Sequence, residues 1–260
     1  MRQPLAYIHP DAKIAPNVVI EPFVTIDKNV VIDEGTRIGS NACIMEGSRI
    51  GKNCNIFPGA VIGAIPQDLK FVGEESLAII GNNTTIREYV TINRGTASKG
   101  KTLIGDNCLI MAYCHVGHDC ILGNNIIISN ATQMAGEVTV DDHAIISGGA
   151  LIHQFTRIGS HVMIQGGSKV TKDVPPFVTA GREPLSYAGI NSIGLRRRGF
   201  TNEQIRDIQD VYRYLYQSGT HNISMALERI QTELPATKER DEILLFIRNS
   251  PRGIIKGYFD

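Results

Sequence analysis

Three histidines carry the first chemical signal in this sequence. His115 and His118 lie in the segment AYCHVGHDC, and His153 follows in LIHQF. An imidazole titrates near neutral pH, so a positioned histidine can take a proton from an alcohol and hand it to a leaving group. Asp119 directly follows His118 and is placed to hold that ring in one tautomer. A glycine beside such a base adds a second element, because an unshielded backbone N–H can stabilise a developing oxyanion. Surface histidines and a metal site compete with a general base for the same residues. No serine or cysteine nucleophile signature is present, which favours direct transfer over a covalent intermediate.

These groups need a scaffold, and a six-residue period supplies one. Of the 28 positions reached by stepping six at a time from Ile8 to Val170, 25 hold Ile, Val, Leu or Met, and only Asp68, Glu74 and Ser98 break the column. That period fits neither an α-helix nor a two-faced strand. It suits a solenoid whose short flat faces each turn one large aliphatic inward. Three hexads close a triangular coil, so each coil rises ~4.8 Å and about eight coils make a prism roughly 40 Å long. Residues 18 apart then stack, which places His118, Gly136 and Gln154 in one column with His153 beside it. Gly136 is therefore the glycine expected next to the base.

The remaining details of the array follow from that register. Gly follows the aliphatic at Gly39, Gly51, Gly63, Gly81, Gly105, Gly117, Gly123 and Gly159, and Asn or Asp often comes next; such residues are expected to accommodate the positive φ angles of tight corners. Cys54, Cys108, Cys114 and Cys120 occupy the small slot two residues before the aliphatic, and no CxxC pair occurs. They are expected to be structural thiols. His115 and His118 are three apart and point in different directions from a strand and a corner, whereas zinc sites on such prisms use a pair five apart, so no metal is expected. Segments 64–78 and 93–103 lack the pattern, yet it resumes in phase at Ile80 and Ile104. They are expected to be loops extruded from the prism, a usual place for functional groups.

The array is expected to span residues 1–186, ending near Pro175 and Pro176, which cannot donate ladder hydrogen bonds. Residues 187–260 are expected to form a small helical domain. Ile205, Ile208, Val211, Tyr212, Leu215 and Tyr216 share one helical face, with Thr201 and Gln204 as a capping box. Further helices are expected at about 223–234 and 236–248. The run Arg196, Arg197 and Arg198 suits a nucleotide diphosphate or an acidic protein, or else is a solvated charged corner.

Bulk composition narrows the class. A formal net charge of +0 argues against a general nucleic-acid binder. No apolar run is long enough to span a bilayer, and the N-terminal stretch lacks a signal-peptide core. A soluble cytoplasmic protein is expected. Flat prism faces favour lateral association, so a homotrimer with clefts between neighbours is expected.

Beyond the period, the segments QDLKF, TINRGT, AYCHVGHDC, SNATQMAGEVTVDDHAIISGGALIHQF, VPPFV and GLRRRGF closely resemble the UDP-N-acetylglucosamine 3-O-acyltransferases that begin lipid A biosynthesis. The resemblance runs through essentially the whole chain. It implies a mostly β fold, a left-handed parallel β-helix of hexapeptide repeats with a small C-terminal α-helical domain. It also implies transfer of an (R)-3-hydroxyacyl group to the sugar 3-hydroxyl without a cofactor, the donor being carried on the phosphopantetheine of acyl carrier protein. By motif, His118 resembles the general base, Asp119 its partner and Gly136 the oxyanion donor. Asp68, Lys70 and His115 resemble substrate-binding groups; His153, Gln154, Asn191 and Arg198 resemble residues lining the nucleotide side. Arg197 looks suited to the acidic carrier protein. Gly166 matches the position at which the family gauges chain length, and a glycine there implies a long acyl chain. Glu137, Asn93 and Pro184 depart from the family's histidines, which bears on the finer contacts to the sugar and to the end of the chain.

Overall fold

In the computed structural model, which describes residues 4–217 and 222–257, the column of aliphatics is the axis of the molecule. His221 lies outside the described residues. Each aliphatic of the column from Ile20 to Val170 is at most 3% exposed. A fully buried side chain of this kind contributes about 1.5–3 kcal/mol, repeated at every face of every coil. The slot two residues earlier points inward too, and is filled by small or β-branched residues such as Val18, Ala42, Cys54 and Thr132.

Among the described residues, these positions assemble three sheets around one core, a left-handed parallel β-helix. The first face has nine strands, from Tyr7–Ile8 to Lys169–Val170; the second has eight, from Lys13–Ile14 to Arg157–Ile158. The third starts at Val19–Ile20, continues through Met163–Ile164, and is extended by Val178–Gly181, Ser186–Ile190 and Lys256–Gly257 to eleven strands. Register is strict: Val116 pairs with Met134 and Met134 with Ile152. The interruptions do not disturb it, since Ile62 still pairs with Ile92 and Ile92 with Val116. The inserted residues leave the prism between Ala64 and Leu77 and between Asn93 and Lys101.

The corners correct one expectation. Positive φ falls three residues after the aliphatic, at Asn41, Tyr113, Asp119, Glu137, His143 and His161 among others, and not generally at the glycine that follows it. Of the eight glycines named above, only Gly63 has it, at 82°. The others answer to close approach between coils. A Cβ on Gly105 would sit 2.4 Å from the Gly123 carbonyl oxygen, and one on Gly117 would sit 2.7 Å from the Gly136 nitrogen.

The thiols behave as small core residues. Cys54, Cys108, Cys114 and Cys120 are buried, and their Sγ atoms reach the carbonyls of Gly81, Gly123, Ser129 and Ala135 in the neighbouring coil. Burial pushes the Cys120 thiol up to about 12.

The prism is closed by helices α1 (Ser192–Arg197), α2 (Asn202–Gln217), α3 (Ile223–Glu233) and α4 (Lys238–Arg248). The capping box is present: the Thr201 N–H donates to the Gln204 side chain at 2.9 Å, and the Gln204 N–H to the Thr201 hydroxyl at 3.2 Å. Helix α2 is bolted to the prism by two buried tyrosines, Tyr212 donating to the Pro176 carbonyl and Tyr216 to that of Ile255. Tyr187 packs on both rings. Among the described residues, no helix is long and apolar enough to cross a membrane.

Candidate active site

His118 sits where the first face turns into the second, between the strands His115–Val116 and Ile121–Leu122. The left-handed backbone of Asp119 (φ 59°) folds the carboxylate back beneath the ring. His118 Nδ1 lies 2.8 Å from Asp119 Oδ2. Asp119 is fully buried, and it also accepts from the Thr96 N–H at 3.0 Å, the Thr96 hydroxyl at 2.7 Å and the Lys99 N–H at 3.1 Å. Burial alone would raise its pKa; the Thr96 hydroxyl, His118 and the two amides outweigh that and hold the carboxyl below its ordinary range. An ionised Asp119 accepts only, so Nδ1 carries the proton and Nε2 is left as the free lone pair.

That lone pair is directed at the next coil. A Cβ on Gly136 would lie 2.4 Å from His118 Nε2, so only glycine leaves room for the ring. The Gly136 N–H makes no hydrogen bond among the described residues. On the edge between the second and third faces the equivalent N–H is taken in three coils, where Asn82 donates to Asp106, Asp106 to Asn124 and Asn124 to Asp142. Asp68, from the first loop, brings Oδ2 to 3.9 Å from His118 Nε2, and the Lys70 N–H anchors its other oxygen at 2.9 Å. A base, a free amide and a second carboxylate converge on one spot. This set can remove a proton from a hydroxyl and stabilise the oxyanion of an acyl transfer.

Several expected residues join this group. His115 hydrogen-bonds Thr91 across the coil at 2.7 Å; burial, and then the charge of His118, hold it below its usual range. His115 and His153 both line a shallow cavity of about 440 Å³ on the first face, which rises from Ala135 past Leu151 to Lys169 and Thr171. His153 Nδ1 lies 2.9 Å from the Gln154 carbonyl, leaving the Gln154 side chain half-buried at the same edge.

The other expected residues stand elsewhere on the same chain. Asn191 caps α1, accepting from the Gly194 N–H at 3.2 Å and donating to the His161 carbonyl at 2.9 Å. It therefore belongs to the edge between the second and third faces. Arg198 shares that edge, acting electrostatically on His143 and His161, and Arg197 is exposed in α1. Gly166 is exposed at the remaining edge, between the third face and the first. Pro184 lines a cavity of about 570 Å³ at the prism end. The expected site is thus spread over all three edges of a single prism.

The departures from the family pattern have visible partners. Glu137 accepts from the Ser98 hydroxyl at 2.8 Å and lies 3.6 Å from the Lys99 ammonium. Asn93 is 2% exposed and donates to the Ile65 carbonyl at 3.2 Å. Sequence reasoning missed Thr91, Thr96, Lys99 and Thr102, the last accepting from the Asp119 N–H at 2.8 Å. Thr91 was findable, because it occupies the slot of His115 one coil earlier. Thr96 and Lys99 were not, because a residue inside an insertion has no hexad address.

Three family profiles match parts of the chain. Residues 2–103 match the profile described as GMPPB C-terminal domain, residues 101–136 that of bacterial transferase hexapeptide (six repeats), and residues 173–255 that of Udp N-acetylglucosamine O-acyltransferase, domain 2. The acyl-(acyl-carrier-protein)–UDP-N-acetylglucosamine O-acyltransferase of Chlorobaculum tepidum is 54% identical over 187 residues, which is 72% of this chain and 70% of the relative. Its counterpart in Halorhodospira halophila is 43% identical over 196 residues, 75% and 76% of the two chains. The solved UDP-N-acetylglucosamine acyltransferase of Bacteroides fragilis superposes with a TM-score of 0.97 at 60% identity, covering 98% of this chain and 100% of that one. That of Francisella novicida gives 0.95 at 41% identity, covering 98% and 94%.

Proposed function

The chain belongs to the UDP-N-acetylglucosamine O-acyltransferases that draw on acyl carrier protein, and from that premise we propose how its own residues perform the transfer. His118 Nε2 removes the proton from the sugar 3-hydroxyl. The resulting oxygen attacks the thioester carbonyl of an (R)-3-hydroxyacyl chain on the carrier's phosphopantetheine. The oxyanion is met by the Gly136 N–H; its collapse expels the thiolate, which takes the proton back from the imidazole. No cofactor enters this scheme. Asp119 holds the ring and carries the charge opposite the transient imidazolium, and Asp68 orients the acceptor.

The observation that carries this proposal is the His118–Gly136 pairing, with the imidazole's free nitrogen against an uncommitted amide. The spread of the site over three edges supports a homotrimer. A neighbouring copy that lays its third face along the first face of this one would bring its Asn191 and Arg198 to the rim beside His118, as groups for the nucleotide diphosphate. The same contact would set Gly166 and the cavity leading away from Ala135 along one path for the acyl chain. Arg197, exposed in α1, is left for the acidic carrier protein. In this reading the enzyme works in the cytoplasm at the first step of lipid A assembly, and the glycine at 166 leaves room for a long chain.

Incubation with UDP-N-acetylglucosamine and a ladder of 3-hydroxyacyl carrier proteins, read by mass spectrometry, tests it. The expected product is the sugar nucleotide heavier by one hydroxyacyl group, most abundant with a long donor. Products only from acetyl-CoA, or none with any donor, would reject the proposal.

A further inference from the structure

The second extruded loop meets the site chiefly at Asp119 and Glu137, and its contacts point in one chemical direction. Asp119 is 0% exposed, and a buried carboxylate must have its lone pairs met by donors. Loop residues provide most of them. The Thr96 N–H lies 3.0 and 3.1 Å from the two oxygens, the Lys99 N–H 3.1 Å from Oδ1, and the Thr96 hydroxyl 2.7 Å from Oδ2. Oδ2 is also the atom that faces His118 Nδ1. The orientation of the Thr96 hydroxyl is not free. The Ser98 N–H donates into its oxygen at 3.2 Å, so its single proton is the one directed at Asp119.

The loop is itself held at three further points. The Lys99 ammonium donates to the Asp119 carbonyl at 2.9 Å, the Ser98 hydroxyl donates to Glu137, and the Ala97 N–H donates to Glu74 of the first loop at 2.9 Å. Glu137 directly follows Gly136, so one strap joins the carboxylate beneath the base to the coil that carries the free amide. Arg94 lies over the Phe71 ring at 5.4 Å and ties the strap to the loop that bears Asp68.

We infer that Thr96 is a positioning residue for the reaction: its hydroxyl shares Asp119 Oδ2 with His118 and thereby fixes the imidazole in the tautomer that presents Nε2 to Gly136. This rests on the His118 chemistry proposed above and adds a residue that never touches substrate. With the hydroxyl gone, Oδ2 loses the donor that holds it against Nδ1 and the carboxylate can turn away from the ring. The imidazole becomes less fixed in place and harder to protonate.

The test compares Thr96→Val, which keeps the shape and the amide but removes the hydroxyl, with Thr96→Ser, which keeps the hydroxyl. Valine should lower kcat roughly ten-fold or more with little change in KM for the sugar nucleotide, and should move the acid limb of the kcat/KM profile to lower pH. Serine should restore both. Wild-type kcat in the valine variant, a loss equal at all pH values, a loss confined to KM, or no recovery with serine would each overturn the inference. A readout independent of turnover is 15N NMR of histidine-labelled protein. His118 should be protonated at Nδ1 in the wild type and mixed between tautomers in Thr96→Val; the same tautomer in both overturns the inference. Absence of turnover in the wild type would instead remove the proposed reaction, and the NMR comparison would still decide the role of Thr96.

Discussion

His118 and Gly136 belong to successive coils, and the imidazole occupies the volume that a side chain at 136 would fill: a Cβ there would lie 2.4 Å from Nε2 and 2.6 Å from Cε1. The imidazole and the backbone amide beside it are therefore a single packing arrangement, and a side chain at 136 would displace the ring.

Loss of the His118 imidazole is the most direct consequence to measure. His118→Ala should reduce turnover by roughly 10²–10⁴-fold, the usual contribution of a general base, while the buried column keeps the coil intact. Steady-state kinetics together with a thermal melt decide it; near wild-type activity in a folded protein removes His118 from the mechanism.

Gly136→Ala should be nearly as damaging for a different reason. Its backbone lies outside the left-handed region, so alanine fits the chain, yet the methyl displaces the ring. A misplacement of about 1 Å can cost roughly 10²-fold in rate. The expected result is a fall in kcat with little change in melting temperature, and full activity would show that the imidazole does not work against this amide.

At the edge between the third and first faces, a Cβ on Gly166 would meet the Gly148 carbonyl oxygen at 3.2 Å and Ser147 at 3.8 Å, leaving its outer side open. Gly166→Met should close that opening and shift preference toward shorter acyl donors. An unchanged profile across a donor ladder would place the acyl path elsewhere.

His161 links stability to pH. Burial, with His143 and Arg198 adding to it, lowers its pKa to about 4 from an ordinary 6.5, and its Nδ1 is buried without a hydrogen-bond partner among the described residues. A histidine kept neutral by the fold takes its proton first in the unfolded chain. Between pH 6.5 and about 4 the unfolded state therefore binds more protons, and stability falls as pH drops through that window. The full effect is up to about 3 kcal/mol at ~1.4 kcal/mol per pKa unit. The ring stacks between His143 and Phe177 and meets Phe200 edge-on, so His161→Phe should keep the packing and flatten the dependence. Denaturant melts at pH 5 and 7 that differ equally in both proteins would assign the acid sensitivity to other groups.

Thiol chemistry checks the packing of the array. Of the five cysteines only Cys43 is partly exposed. Iodoacetamide on the native protein should add a single label, at Cys43, and unfolding should admit the rest. Modification of Cys120 in the folded protein would contradict its buried position.

The scaffold was legible because a solenoid gives each residue an address. Stepping by six identified the buried column, and stepping by 18 placed His118 against Gly136, since every coil repeats the same rise. The corners were misassigned for a local reason. Glycine after the aliphatic looked like a turn residue, but the left-handed position lies two residues further on, where Asn, Tyr, His and Asp119 bear it. Glycine serves instead to let adjacent coils approach.

What the sequence determined alone, then, was everything that obeys the repeat: the prism, its core, the buried thiols and the column that sets His118 against Gly136. What only the tertiary structure decided lies outside the repeat. Thr96 and Lys99 reach Asp119 from an extruded loop, and Glu74 meets Ala97 across two insertions whose course no period describes. The separation of His118, Asn191 and Gly166 onto three edges was equally hidden, because motif order along a chain says nothing of which way each corner faces. Periodic burial is enforced residue by residue and can be read in one dimension; hydrogen bonds between loops depend on distances that exist only once the coils are stacked.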